Sequence, residues 1–92
     1  VFNGTSTNLI NNDIKFLKNV KNLVIKKCSW ISNLLLLNNI ETLNICGCKN
    51  IKNLPKTSNL KKLYISANLY NTRLIYNQTR NMNCDFEVDY FN

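Results

Sequence analysis

Three stretches of the chain align without a gap: VKNLVIKKCSWISNL at positions 20–34, IETLNICGCKNIKNL at 40–54 and LKKLYISANLYNTRL at 60–74. Each begins twenty residues after the one before it, and sixteen of the eighteen aligned apolar positions are Val, Ile, Leu or Cys. Those positions begin at Val20, Leu23, Ile25, Cys28, Ile31 and Leu34 and recur at plus twenty and plus forty. A repeat this short cannot bury its apolar side chains alone, so successive repeats must stack on one another.

Near its start each repeat has two apolar residues two positions apart, which are Leu23 and Ile25 in the first repeat. This period of two predicts a strand with one buried face. The later apolar residues come every third position, which fits neither a strand nor the i, i+3, i+4, i+7 pattern of an amphipathic helix. We therefore expect a chain that turns a corner after each strand and winds back.

The spacing L-x-x-L-x-I-x-x-C/N resembles that of the leucine-rich-repeat family, L-x-x-L-x-L-x-x-N/C-x-L. The short period, with Leu54-Pro55 closing one repeat, is similar to the repeats of bacterial effector proteins, and the segment 43–48 is similar to the Cys-bearing repeats of plant immune receptors. The resemblance implies an α/β leucine-rich-repeat solenoid, a horseshoe-type right-handed coil. Its parallel β-sheet would line the concave face, with little or no helix on the convex side.

In that family an Asn side chain at one repeat position forms a ladder of hydrogen bonds to neighbouring turns. The matching positions here are Cys28, Cys48 and Asn68. Cys is only a weak donor, so we expect a weaker ladder at two rungs. Cys28 and Cys48 would lie one coil apart, within reach of a disulfide in principle, but two buried free thiols are the favoured interpretation.

Ninety-two residues suffice for a single repeat domain, 1–92. We expect an irregular first coil or cap over 1–19, regular repeats over 20–39, 40–59 and 60–79, and a closing strand over 80–92. Phe2, Leu9 and Ile10 would complete the core of the first coil. The closing strand follows from the alternation of apolar and polar residues over 82–90, although a truncated further repeat is the competing interpretation.

The chain has no His, so it cannot by itself build a Ser-His-Asp triad, a Cys-His pair or a His-ligated zinc site. The pair Cys46-Gly47-Cys48 is C-x-C and lacks the spacing of a redox C-x-x-C motif. Lys26 beside Cys46 would lower the pKa of that thiol modestly, but no base accompanies it. We therefore expect no enzyme, no cofactor and no metal site.

The expected partner-binding surface is the concave face, where strand residues point away from the core. By period these residues are Asn22, Val24, Lys26, Thr42, Asn44, Cys46, Lys62, Tyr64 and Ser66, with Lys27 beside them. The set is polar and partly basic, with one aromatic ring. It predicts a non-enzymatic protein–protein interaction module, either a monomer or part of a longer chain.

The net charge of +7 leaves two other functions open. All twelve basic residues lie within 14–80, beside one acidic residue, so this span could meet nucleic acid or an anionic lipid surface. Ten of the twelve are Lys spread through the repeats, and only Tyr64 is placed for base stacking, so we favour a solvated surface and regard nucleic acid as unlikely. A purely structural segment of a longer repeat array is the third possibility.

The remaining features carry less information. Trp30 and Tyr70 occupy equivalent positions, where they could pack over a coil edge or form a second binding surface. The N-glycosylation sequons at Asn3 and Asn77 are as many as chance predicts in a chain with nineteen Asn. The longest apolar run, 34–37, is far too short to span a bilayer. Nothing resembles a secretory signal, which slightly favours an intracellular location without fixing it.

Overall fold

The structure is a computed structural model that describes residues 2–3 and 11–90. Its strands in this part of the chain are β1 (Phe2–Asn3), β2 (Asn22–Lys26), β3 (Thr42–Asn44), β4 (Lys62–Ser66) and β5 (Asp85–Asp89). Its α-helices are α1 (Asn11–Ile14), α2 (Ala67–Tyr70) and α3 (Arg73–Thr79), and a 3₁₀ turn spans Lys15–Leu17. The chain therefore has a small α/β fold with few and short helices.

The strands lie side by side in chain order, β1-β2-β3-β4-β5, and every pairing is parallel. Asn22 pairs with Thr42 and Thr42 with Lys62, so the register between these strands advances by twenty residues each time. The step from β4 to β5 differs, because Lys62 pairs with Asp85. Parallel neighbours in chain order require each connection to run back behind the sheet before the next strand begins.

The predicted apolar stripe forms the core behind this sheet. Fourteen of the eighteen aligned positions are buried, and Val20 is partly buried against them. The buried fourteen are Leu23, Ile25, Cys28, Ile31, Leu34, Ile40, Leu43, Ile45, Cys48, Ile51, Leu54, Leu60, Leu63 and Ile65. Cys28 and Cys48 are both buried in this core, and no disulfide joins them. Burial of the thiol raises the pKa of Cys48 to about 11, which keeps it protonated.

The return segments 27–41 and 45–61 contain no helix, in agreement with the prediction for these two repeats. They hydrogen-bond to each other instead. A parallel bridge joins Asn33 to Asn53, and the Leu34 N–H donates to the Asn53 carbonyl over 2.9 Å. This bridge satisfies backbone groups of the two return segments.

The prediction of little or no helix is wrong for the third repeat, where α2 and α3 occupy the return segment. A helix advances about 1.5 Å per residue against about 3.3 Å for extended chain, so the return path needs more residues. The register step from β4 to β5 is 23 residues, three more than the steps between β2, β3 and β4. The Thr72 side chain caps α3 by accepting from the Ile75 N–H at 3.4 Å.

The helices displace the predicted core positions of the third repeat by one residue. Asn68 and Leu74 are exposed, whereas Leu69 and Ile75 are buried in their place. Asn71, the other predicted position, is also exposed. Asn68 therefore cannot be the Asn rung of a buried ladder, and that prediction is wrong.

Asn side chains nevertheless link neighbouring coils at other positions. Asn39 donates through Nδ2 to the Lys18 carbonyl at 3.3 Å, and Asn59 donates to the Asn38 carbonyl at the same distance. At one of the two Cys positions of the expected ladder the donor is a thiol: the Cys48 Sγ donates to the Ile25 carbonyl at 3.2 Å. Part of the unusual Asn content is thus explained by turns that need side-chain donors to reach the preceding coil.

The two ends of the sheet differ from the regular repeats. Phe2 pairs with Ile25, so the first coil is three residues longer than the twenty-residue period. The side chains of Phe2, Leu9 and Ile10, which we expected in its core, lie outside the described residues. At the other end β5 pairs with β4 over five residues, and Phe86 and Val88 pack partly buried on the core. Among the described residues, no helix has the length and apolar character that crossing a bilayer requires.

Candidate functional site

The side of the sheet opposite the core, which we call the outer face, presents two complete rows of side chains. The strand register defines the rows because residues paired in a parallel sheet lie side by side. One row is Asn22, Thr42, Lys62 and Asp85, and the next is Val24, Asn44, Tyr64 and Glu87. The outer face therefore contains seven of the nine residues predicted from the sequence, counting Lys26 at the end of β2.

The two remaining predicted residues have partly or wholly internal roles. Ser66 is only 4% exposed, and its Oγ accepts a hydrogen bond from the Gly47 N–H at 2.6 Å. Ser66 thus supports the turn after β3 and offers little surface to a partner. Cys46 lies just beyond β3 and is half-buried.

A groove of about 670 Å³ crosses the carboxyl-terminal half of the outer face. It is lined by Lys26, Lys27, Asn44, Cys46, Tyr64, Glu87, Val88 and Asp89. Four of these residues belong to the nine predicted ones and Lys27 was expected beside them, but Glu87, Val88 and Asp89 were not expected there. The alternation of apolar and polar residues over 82–90 predicted a strand, which is β5. Only the pairing of β5 with β4 shows that the acidic residues of β5 lie in the same groove as Tyr64.

The charges of the groove are separated by sign. Lys26 and Lys27 lie at the β2 end, and Glu87 and Asp89 lie at the β5 end. Strands β2 and β5 are separated by three strand spacings, or about 14 Å at about 4.8 Å each. The outer face is consequently bipolar across the strands, although the whole chain is basic.

Lys62 contacts both Glu87, at the acidic end of the groove, and the aromatic ring of Tyr64. Its Nζ lies 3.3 Å from Glu87 Oε2 and 5.3 Å from the centroid of the Tyr64 ring. The hydrogen bond and charge of Glu87 raise the pKa of Lys62, which therefore stays protonated. The contacts favour one orientation of the half-buried Lys62 and Tyr64 side chains, although each contact is individually weak in water.

Asn44 is oriented by the backbone next to it. Its Oδ1 accepts a hydrogen bond from the Cys46 N–H at 3.1 Å. The amide Nδ2 of Asn44 makes no hydrogen bond to the described residues, so it can donate to a ligand in the groove. A side chain fixed at one end and open at the other is suited to recognition of a carbonyl oxygen.

The expectation of a lowered Cys46 pKa is wrong. Burial raises the pKa of this thiol, Asp89 and Glu87 raise it further, and the lowering effect of Lys26 is smaller than that of burial. The acidic strand β5, which the sequence did not place beside Cys46, supplies this opposing charge. Since the thiolate is the reactive form, Cys46 is a poor nucleophile near neutral pH.

Two other features lie outside the outer face. A second groove of about 590 Å³ lies between the segments 55–60 and 77–83, with Lys56 its one charged lining residue. Trp30 is 70% exposed, whereas Tyr70 is half-buried and packs with its ring centroid 5.8 Å from that of Phe86. Tyr70 therefore packs against the fold, as one of the two interpretations expected, and Trp30 lies on the surface.

No three Cys, Asp or Glu side chains of the described residues are grouped so that they could hold a metal ion.

Comparisons with models of known protein families, with curated proteins and with solved structures find no match to this chain.

Proposed function

We propose that the chain is a leucine-rich-repeat solenoid whose outer face binds a protein partner without catalysis. The equal register steps between β2, β3 and β4 support the repeat architecture, because each coil places the same positions on the face and in the core. The proposed family accounts for the short period and for return segments that lack helix in two coils.

One observation carries the binding function: a groove on a strand-built face brings together an aromatic ring, an oriented amide and charges of both signs. The backbone beneath these groups is fixed by parallel pairing on both sides of β3 and β4. A preformed surface loses less conformational entropy when it binds, so more of the contact energy appears as affinity.

The size of the face favours a short segment of a partner over a large folded surface. Four strands span about 14 Å, and the five residues of β4 span about 17 Å, which gives a projected area of roughly 240 Å². A stable interface between folded proteins buries about 800 Å² on each partner. We therefore propose an extended peptide segment of another protein as the bound element.

Nucleic acid or anionic lipid is the second candidate because the span 14–80 contains all twelve basic residues. Phosphate groups in the groove would, however, meet Glu87 and Asp89 next to Tyr64. The groove is thus a poor site for a polyanion, and such binding would have to use lysines elsewhere on the surface. It would weaken steeply between low and physiological salt concentration.

A random peptide library displayed on phage tests the proposed function. We expect selection on the 92-residue chain to enrich peptides whose binding falls about tenfold or more in Lys26→Ala/Tyr64→Ala, in line with the loss of a central contact. Lys49→Ala/Lys52→Ala is the matched control, because both lysines are exposed and lie outside the groove. Failure to enrich any peptide, or enriched peptides that bind the Lys26/Tyr64 variant normally, would contradict the proposal.

A further inference from the structure

We propose that the groove selects an extended peptide with two opposite charges about four residues apart, its carboxylate over the β2 end and its basic side chain over the β5 end. This inference depends on the proposed function, since it names the chemistry of the segment that the outer face would bind.

The basic end contains two consecutive lysines, Lys26 and Lys27, because the usual alternation of side chains between the two faces of a strand stops at this point. In a continuous strand Lys26 and Lys27 would point to opposite faces. Lys27 instead has a φ of 57°, in the left-handed region, and both lysines line the groove. This conformation is unfavourable for a non-glycine residue, so the surrounding structure must hold Lys27 there. Two ammonium groups on one side form a suitable site for a carboxylate.

The acidic end is formed by β5. Its parallel pairing with β4 places Glu87 beside Tyr64 and Asp89 beside Ser66. Glu87 also contacts Lys62, whose Nζ lies on the Tyr64 ring as well, so the acidic end adjoins an aromatic surface. A Lys or Arg side chain of the partner would meet carboxylates and could lay its aliphatic stem along the ring.

The length of the groove sets the spacing. Its charged ends are about 14 Å apart, and an extended chain advances about 3.3 Å per residue, so opposite charges should be separated by about four residues. Side chains four positions apart in an extended segment point to the same side, which allows both to face the groove. A spacing one residue shorter would turn one of the two charges away. The charges of the groove and the length of the groove therefore predict the same peptide, with opposite charges about four residues apart.

Two other occupants fit less well. A second copy of the chain could match a bipolar face by two-fold symmetry, but the projected area of roughly 240 Å² is far below the 800 Å² or so per partner that a stable dimer needs. A nucleic acid would meet the carboxylates of Glu87 and Asp89. Each remains a distinct outcome of the experiment.

The test uses short synthetic peptides of threonine and valine with a fluorescent label, measured by anisotropy against the 92-residue chain. The matched peptide carries one Glu and one Lys separated by about four positions, made in both chain directions. The comparison peptides bring the two charges one position closer, or replace them by two Glu or by two Lys. We expect the better direction of the matched peptide to bind about tenfold more tightly than each comparison peptide, as two surface charge pairs allow.

The decisive variant is Lys26→Glu/Lys27→Glu, which makes both ends of the groove acidic. It should weaken the matched peptide about tenfold and should bind the two-Lys peptide more tightly than the matched one, a gain that an unfolded protein cannot show. Lys49→Glu/Lys52→Glu carries the same change of net charge outside the groove and should keep the original preference.

Several results would overturn the inference. Peptides that all bind equally well, and lose binding in Tyr64→Ala, would leave the proposed function intact and remove the charge pattern. The charge pattern would also be removed, and the proposed function left intact, if no synthetic peptide binds. In that case the library would still have to yield binders that depend on Lys26 and Tyr64 but lack paired charges. Absence of both kinds of binder would remove the proposed function as well. Dimerisation in sedimentation equilibrium that Lys26→Glu/Lys27→Glu abolishes, or oligonucleotide binding that it abolishes, would assign the face to another occupant.

Discussion

Gly47 and Lys27 occupy the same position in successive repeats, and both have a left-handed backbone, with φ of 82° and 57°. We predict that Gly47→Ala destabilises the fold. An added Cβ would lie 2.9 Å from Lys27 Cγ and 3.3 Å from the Lys27 backbone nitrogen. The neighbouring coil must therefore shift, in addition to the cost of placing a non-glycine residue at positive φ.

The magnitude follows from three contributions. The left-handed conformation costs alanine about 1–2 kcal/mol. The reduced entropy of the unfolded chain offsets about 0.4–1 kcal/mol of this. The close contact with Lys27 adds a few tenths of a kcal/mol or more, because a flexible Cγ can move but the backbone nitrogen cannot. The free energy of unfolding should fall by about 1–2 kcal/mol, which lowers the Tm of a domain this size by roughly 5–15 °C.

Urea unfolding followed by circular dichroism measures this change, and a double-mutant cycle isolates the contact. Lys27→Gly removes both the Cγ atom and the strain at position 27, so Gly47→Ala should cost measurably less in the Lys27→Gly background. Equal stability of Gly47→Ala and the parent chain would refute the reasoning. A strictly additive cycle would show that the contact between the two coils contributes nothing.

Three further predictions concern other parts of the fold. Asn39→Ala, which removes the side-chain donor to the Lys18 carbonyl, should lower the free energy of unfolding by about 0.5–1.5 kcal/mol in urea titrations. Thr72→Ala removes the cap of α3 and should cost about 1 kcal/mol, with the exposed Ser58→Ala as a nearly neutral control; equal effects would argue against the cap. Because burial and the acidic strand raise the pKa of Cys46, its alkylation by iodoacetamide should be slower near neutral pH than that of a free cysteine and should accelerate as pH rises towards the raised pKa. Mass spectrometry of the labelled peptide measures this rate, and Cys48, with a pKa of about 11 and a buried thiol, should react only after unfolding.

The regular repeats were the part of the fold most open to prediction from sequence. Leu23, Leu43 and Leu63 recur at a fixed interval, and each must be buried in the same way, so the strands and their register follow from one period. The third return segment was not predictable in this manner. Leu74 continues the period but is exposed, because the helix capped by Thr72 turns Ile75 inward instead. Periodicity does not report where a helix replaces extended chain.

The candidate surface divides in a similar way. Alternation along β2, β3 and β4 was sufficient to place Val24, Asn44 and Tyr64 on one face. Ser66 satisfied the same alternation but is buried, and its Oγ accepts a hydrogen bond from the Gly47 N–H, in a turn nineteen residues earlier in the chain. The error in the Cys46 pKa has the same origin, since Asp89 comes near it only through the pairing of β5.

The amino-acid sequence alone was thus enough to predict the period, the strands and the apolar stripe, since all of these depend on local spacing and on the need to bury what recurs. Only the tertiary structure decided the electrostatic character of the outer face. The chain is basic from 14 to 80 and acidic near its end, and the binding face was expected to be polar and partly basic. Folding places Glu87 and Asp89 in the same groove as Lys26 and Lys27, because parallel pairing brings residues some sixty positions apart to within a few strand spacings.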